Sequence, residues 1–308
     1  MLIDVHAHLN NEEYSNIEQI VENAKENGVE KIITATCDDI ANFEVVKIAK
    51  DFSNVFFTLG IHPQTYFQYT PELEEYIISQ KDNPKFVAIG EIGLDFHEME
   101  SEMQYIKNTY GVKLTKEQFY KGQIEVFKKQ IELANKLGKP IVIHSRDATE
   151  KTMEILKSYK DQIKNGCLIH CFSGSEETAK QYFDMGFYIS VGGVVTFKNA
   201  KNLPEIIKNL GIEKVMLETD CPYLAPEPFR GTVNEPKNVK IVAEKLAEIL
   251  NISFEEVEKT TSQNAERLFK IWLKILSSTK NLVKILFQTK ICCLQLFLMQ
   301  KFLLLMKF

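Results

Sequence analysis

The chain has 308 residues, 44% of them hydrophobic and 26% charged, an ordinary globular composition with room for one large domain. Its formal net charge is −5, and an acidic surface repels phosphates, which disfavours a general binder of duplex DNA. The six cysteines form no CxxC pair, so no disulfide framework is indicated. The first residues, MLIDVHAHL, carry an early acid and no basic segment. They are not typical of a signal peptide, and we expect a cytoplasmic protein without a membrane anchor.

Short apolar runs alternate with longer amphipathic stretches along most of the chain. Eight runs predict strands, at residues 2–6, 31–35, 55–60, 86–91, 141–144, 167–170, 188–191 and 215–220. Helical patterns between them end at Gly28 and Gly138, and a late one begins at Pro236. Ser253 and Glu256 form a capping-box pattern before a last helix through Phe269. Eight strand–helix units predict an α/β fold, a (β/α)8 TIM-type barrel. A doubly wound open sheet is the alternative that strand counting leaves open.

Two segments depart from this alternation. Residues 97–115 are polar and aperiodic and follow a strand end, so we predict a loop or lid on the catalytic face, or a simple surface insertion. From residue 275 the chain holds five lysines and no acid, and its apolar runs are too short for a membrane span. Taking these lysines from the 37 basic residues leaves 32 against 42 acidic ones, a net charge of −10 for the rest. We predict a domain at 1–274 and an atypical, dispensable tail at 275–308.

Five of the six histidines, all except His97, sit at the C-terminal ends of predicted strands, and in a barrel these ends open on one face. His6 and His8 share one side of a strand because they are two residues apart. Apolar runs precede several further candidates, and a polar group is costly there unless it is paired or metal-bound. The predicted metal ligands are His6, His8, Glu91, His144, His170 and Asp220. Glu218 is either an acid that orients a ligand or a satisfied buried carboxylate.

Four imidazoles and two carboxylates suit two divalent ions that share Glu91, whose two oxygens can bridge them. The predicted catalytic residues are Asp220, which orients or deprotonates a water molecule, and the shared Glu91. Imidazole ligands favour Zn, Fe or Ni, whereas carboxylates and water favour Mg or Mn. This pattern therefore predicts a two-metal hydrolase without identifying the metal.

Ten short motifs occur along the chain, in an order and spacing that can be compared with known families. They are DVHAHLN, GIHP, GEIGLD, VIHSRDA, HCFSG, SVGGVVTFK, ETDCPYL, FRG, NEP and QNAERLF. In order and spacing they resemble the TatD family of metal-dependent deoxyribonucleases, which have amidohydrolase-like barrels, from about residue 2 to 270. Residues 97–115 look longer than usual for that family, and the tail has no recognised counterpart.

The resemblance implies two metal sets that share Glu91. His6, His8 and Asp220 complete one set, and His144 and His170 complete the other. It also implies that substrate phosphate is faced by His62, Arg146, Arg230 and Asn234.

We therefore predict a hydrolase, with Mg or Mn favoured and Zn as an alternative, that cleaves DNA phosphodiesters from strand ends. Its expected substrate is single-stranded or frayed DNA, and no protein partner is implied. The same site could instead serve an acyl or amide hydrolase, such as a D-aminoacyl-tRNA deacylase. A metal-binding scaffold without catalysis is a third reading, disfavoured because the ligand set is complete.

Overall fold

The computed structural model describes residues 1–97 and 99–271. These residues form a parallel sheet in which each strand pairs with the next along the chain. Its strands are β1 Leu2–Ala7, β2 Val29–Thr34, β3 Val55–Leu59, β4 Phe86–Asp95, β5 Ile141–Arg146, β6 Cys167–Ile169, β7 Tyr188–Val191 and β8 Val215–Leu217.

The sheet closes between its first and last strands. Ala7 forms a parallel bridge with Cys221. The backbone N–H of Asp220 donates to the His6 carbonyl at 2.9 Å, and the N–H of His8 donates to the Cys221 carbonyl at 2.8 Å. The prediction of a barrel is thereby confirmed, and the doubly wound open sheet is excluded.

Helices connect the strands and follow the last one. They are α1 Ile17–Glu26, α2 Asp39–Asp51, α3 Pro71–Ser79, α4 Met99–Tyr110, α5 Lys116–Leu137, α6 Thr149–Ser158, α7 Glu176–Asp184, α8 Asn202–Leu210, α9 Val239–Leu250 and α10 Phe254–Phe269. Gly138 ends α5 with a left-handed φ of 66°, as its position after the apolar pattern predicts. Ser253 accepts a bond from the Glu256 N–H at 3.1 Å, which is half of the predicted capping box.

The core explains why the strands appear in the sequence as continuous apolar runs. Strands β3 and β4 are buried at every position, as expected for parallel strands covered on both faces. The strand bounds differ from prediction at the two acidic positions. Strand β4 continues past Glu91 to Asp95, and β8 ends at Leu217, three residues before Asp220.

The prediction of a loop over 97–115 is wrong for most of that segment, because Met99–Tyr110 is helix α4. Met99 and Ile106 are buried, and Met103 packs in the same cluster against Tyr66 and Phe119. Their spacing of four and three residues puts them on one helical face. This period is hard to detect in the sequence because polar residues surround a narrow apolar stripe.

Residues Met1–Phe269 form one compact unit of the chain. The predicted boundary at residue 274 and the tail at 275–308 lie outside the described residues. Across 1–97 and 99–271, no helix is both long and apolar enough to cross a membrane.

Candidate metal centre

The six predicted ligands meet at the carboxyl end of the barrel. His6 lies in β1 and His144 in β5, whereas His8, His170 and Asp220 follow the ends of β1, β6 and β8. Glu91 lies inside β4, where the pairing with β5 shifts register between Ile89 and Ile92. The turns after the strands thus supply half of the set.

Glu91 lies between two groups of histidines. Its Oε1 is 2.7 Å from both His144 Nδ1 and His170 Nε2. Its Oε2 is 3.1 Å from His6 Nε2 and 3.8 Å from His8 Nε2. One carboxylate therefore faces both halves of the predicted ligand set, one oxygen to each.

Asp220 lies beside the group formed by His6 and His8. Its Oδ1 is 3.4 Å from His8 Nε2 and 3.8 Å from His6 Nε2. The rings of His6 and His170 stack across the two groups, with centroids 4.0 Å apart. Three sets of donor atoms, each within 4.8 Å of one another, could hold an ion, namely His6–Glu91–His170, His6–His8–Asp220 and His62–Glu91–His144.

A close approach of two strands brings His144 to Glu91. Gly93 has a φ of 146°, and a Cβ placed on it would lie 2.0 Å from the His144 carbonyl oxygen. Only glycine fits there, because any side chain would collide with the backbone of β5. Gly93 thereby allows β4 and β5 to bring Glu91 and His144 within 2.7 Å of each other.

Burial and mutual charge set the protonation of the cluster. Burial by itself would raise the pKa of Glu91, but His170 and His6 hold it well below the usual range. Burial, reinforced by His170, lowers the pKa of His6 to about 4. The pKa of His170 rises to about 9, since Glu91 outweighs the opposing effect of burial. Glu91 is therefore ionised, as a metal-bridging carboxylate must be.

The donor set fits divalent cations. His144 Nδ1 and His170 Nε2 lie 3.3 Å apart while both point at one oxygen of Glu91. Imidazole nitrogens and carboxylate oxygens that converge in this way are ligands of divalent metals in proteins. The position of Glu91 between the groups suits two ions that share it.

Two contacts behind the ligands were missing from the sequence prediction. Asp95 Oδ2 lies 3.1 Å from His144 Nε2, and Cys37 Sγ lies 3.4 Å from His8 Nδ1. Such contacts orient ligand histidines. Strand alternation offered a signal for Asp95, because it lies four residues after Glu91 and therefore on the same side. Cys37 also follows a strand end, that of β2, but a single cysteine at such a position does not by itself indicate a contact with a ligand.

A buried carboxylate joins β1 to the end of β8 behind the site. Asp4 is fully buried. It accepts hydrogen bonds from the backbone N–H and the hydroxyl of Thr219, at 3.0 and 2.6 Å, and from the N–H of His6 at 3.3 Å. Burial raises the pKa of Asp4 to about 8. Because Thr219 precedes Asp220, Asp4 fixes the spacing between two predicted ligands, His6 and Asp220.

Glu218 is a satisfied buried carboxylate. It accepts hydrogen bonds from the Cys171 N–H at 2.7 Å and from the Ser190 hydroxyl at 2.5 Å. His170 Nδ1 is 3.8 Å from it, too far for a hydrogen bond. Glu218 therefore holds the turn after β6 by binding the backbone N–H of Cys171 rather than the imidazole of His170.

The predicted phosphate-facing residues differ in where they lie. His62 and Arg146 line a cavity of about 600 Å³ over the metal cluster, and Arg146 is exposed there. His62 Nε2 lies 3.6 Å from Glu91 Oε1, and burial lowers its pKa to about 3. Arg230 is exposed on the loop after β8, 4.3 Å above the Phe197 ring.

Asn234 does not face this cavity, so the role implied for it is wrong. It is fully buried, and its amide donates to the carbonyls of Thr219 and Tyr223 at 3.0 and 2.8 Å. Its oxygen accepts from Asn238 at 2.8 Å. With these bonds made, Asn234 anchors the loop after β8 instead of binding substrate.

Known proteins of the same family resemble this chain over almost its whole described length. Residues 3–270 match the family described as TatD related DNase. A Bacillus subtilis protein, the uncharacterized metal-dependent hydrolase YabD, is 40% identical over 272 residues, covering 88% of this chain and 100% of the relative. The Escherichia coli protein YcfH, with the same description, is 33% identical over 274 residues, covering 88% and 96%. The crystal structure of YJJV, a TatD homologue from Escherichia coli, superposes with a TM-score of 0.76 at 26% identity, covering 87% of this chain and 98% of that one. The chain belongs to the TatD family of metal-dependent hydrolases.

Proposed function

We propose that this protein hydrolyses phosphodiester bonds of DNA with two divalent metal ions, and that it acts from strand ends. The observation that carries the proposal is the position of Glu91, with one carboxylate oxygen toward His6 and His8 and the other toward His144 and His170. The ligand set would be His6, His8, Glu91 and Asp220 for one ion, and Glu91, His144 and His170 for the other. Mg or Mn is the favoured metal, with Zn as the alternative.

Bound divalent ions would supply water activation and charge compensation for a phosphoryl group at this site. Asp220 lines the cavity. Burial would raise its pKa, but the contact with His8 and the charge of His170 lower it. Asp220 is therefore a carboxylate at neutral pH, able to orient a water molecule and accept its proton.

The cavity wall offers a positive charge for a phosphate. Arg146 follows His144 by two residues, is exposed and lines the same cavity as Asp220. A guanidinium suits phosphate because it can donate two parallel hydrogen bonds. We assign Arg146 to substrate phosphate, together with His62 at the cavity wall and the exposed Arg230 on the loop after β8.

Preference for strand ends follows from charge and shape. Residues 1–274 carry 32 basic and 42 acidic residues, so no broad cationic track is expected to hold a duplex. Binding then depends on the metal centre and a few cations, within a cavity of about 600 Å³. Such a cavity accommodates a strand end more readily than a double helix.

The test is a metal-screened nuclease assay on single-stranded and duplex oligonucleotides, labelled at the 3′ or the 5′ end, and on covalently closed circular DNA. We expect stepwise shortening of single strands with Mg or Mn, and none with the Asp220→Asn variant. Efficient nicking of closed circles would contradict action from ends. An acyl or amide hydrolase on the same site would instead cleave aminoacyl esters or amides and leave every oligonucleotide intact.

A further inference from the structure

An exposed aromatic side chain stands at the mouth of the metal cavity. Tyr223 is 54% exposed and the adjacent Leu224 is 37% exposed, and both line the cavity that contains His8 and Asp220. The centroid of the Tyr223 ring is 6.1 Å from that of His8. An aromatic face that stays accessible beside the metal ligands can contact a ligand bound in the cavity.

The surrounding structure holds Tyr223 in place. Its backbone N–H donates to the Asp220 carbonyl at 3.0 Å, and its carbonyl accepts from the buried amide of Asn234 at 2.8 Å. Its hydroxyl accepts from Asn11 Nδ2 at 3.1 Å. The two backbone hydrogen bonds therefore fix the main chain of Tyr223 next to the predicted ligand Asp220.

The backbone of Leu224 is equally constrained. Its φ is 52°, and its carbonyl oxygen packs so closely on Gly193 that a Cβ there would lie 2.1 Å from it. The surface formed by Tyr223 and Leu224 is therefore held in place before any ligand binds. Such preorganisation lowers the entropic cost of binding.

We infer that Tyr223, supported by Leu224, is a stacking platform for an unpaired nucleobase adjoining the phosphate at the metal centre. This inference rests on the proposed DNA hydrolysis and specifies how the strand is held. Proteins bind single strands by combining aromatic platforms, on which bases stack, with cations that contact the backbone. Here Tyr223 supplies the platform and Arg146 the cation in one cavity. A base inside a duplex has both faces covered, so the platform selects unpaired ends.

The experiment compares two single strands with the same phosphates, one of deoxyadenylate and one of base-free tetrahydrofuran units. The ratio of the two kcat/KM values measures the preference for bases. We expect Tyr223→Ala to lower this ratio about 5- to 150-fold, the range for loss of one base–aromatic stack. Tyr223→Phe keeps the ring and should keep the ratio.

Phe229→Ala is the matched control, because Phe229 is 47% exposed on the same loop but is not part of the cavity lining. It should leave the ratio unchanged. If Tyr223→Ala lowers kcat/KM equally on both strands, or if Phe229→Ala lowers the ratio as much, the platform is refuted while DNA hydrolysis stands. If the wild-type protein cleaves neither strand with any divalent metal, the proposed function itself fails.

Discussion

Replacing Asp4 should show how strongly the contact between β1 and the segment after β8 depends on one buried side chain. The Asp4→Ala variant removes the acceptor for the backbone N–H and the hydroxyl of Thr219. Both groups lie in the interior, since Thr219 is 1% exposed. Water therefore cannot easily replace the lost partner.

The magnitude follows from these two bonds. A buried polar group left without a partner costs ~1–3 kcal/mol, so Asp4→Ala should lower the free energy of unfolding by about 2–6 kcal/mol. The Asp4→Asn variant is the control, because its amide oxygen can accept from the same N–H groups and its amide nitrogen can donate to the Thr219 hydroxyl. Both variants remove the ionisable group, so their difference reports the hydrogen bonds.

The measurement is denaturant unfolding followed by circular dichroism, at one metal concentration for all proteins. We expect Asp4→Asn to stay within about 1 kcal/mol of the wild type and Asp4→Ala to fall well below it. Equal stability of the two variants would refute the conclusion that these hydrogen bonds stabilise the contact between β1 and the segment after β8.

Three further predictions concern the metal site, the tail and the substrate. Chelation should abolish hydrolysis, and added Mg or Mn should restore it. The Asp220→Asn variant should have a severely reduced kcat and an unchanged circular dichroism spectrum. Full turnover by this variant at saturating metal would show that Asp220 has no catalytic role. Truncation after Lys274 should improve solubility and retain activity, because a segment rich in apolar residues and without an acid favours aggregation. Failure of the truncated chain to fold would show that the tail belongs to the core. For single strands, the logarithm of the binding constant should fall with the logarithm of the salt concentration at a slope of roughly −1.5 to −2, as expected for two or three phosphate contacts. A steep slope in a salt titration would instead indicate an extended DNA track.

The sequence alone was sufficient for the barrel and for the approximate position of its site. The sequence contains apolar runs of strand length, amphipathic stretches between them and a helix-stop signal at Gly138. These are local patterns, which can be recognised without knowing the tertiary contacts. The histidines could be gathered on one face because parallel strands in a barrel all end there. That rule needs no side-chain coordinates.

The tertiary structure decided what depends on register and packing across the sheet. The shift between Ile89 and Ile92 and the close approach at Gly93 set the distances from Glu91 to the two histidine groups that it was predicted to join, and no single-strand pattern contains those distances. Helix α4 escaped prediction because its apolar stripe is narrow, and only the contacts of Met99 and Ile106 with Tyr66 and Phe119 show which face of it is buried. Asn234 fits a substrate-binding motif by its position in the chain, yet it is buried, because its amide satisfies backbone carbonyls that the fold brings to it. Hydrogen-bond partners distant in sequence are chosen only when the barrel closes, and for that reason the sequence could locate the site but not the contacts that orient it.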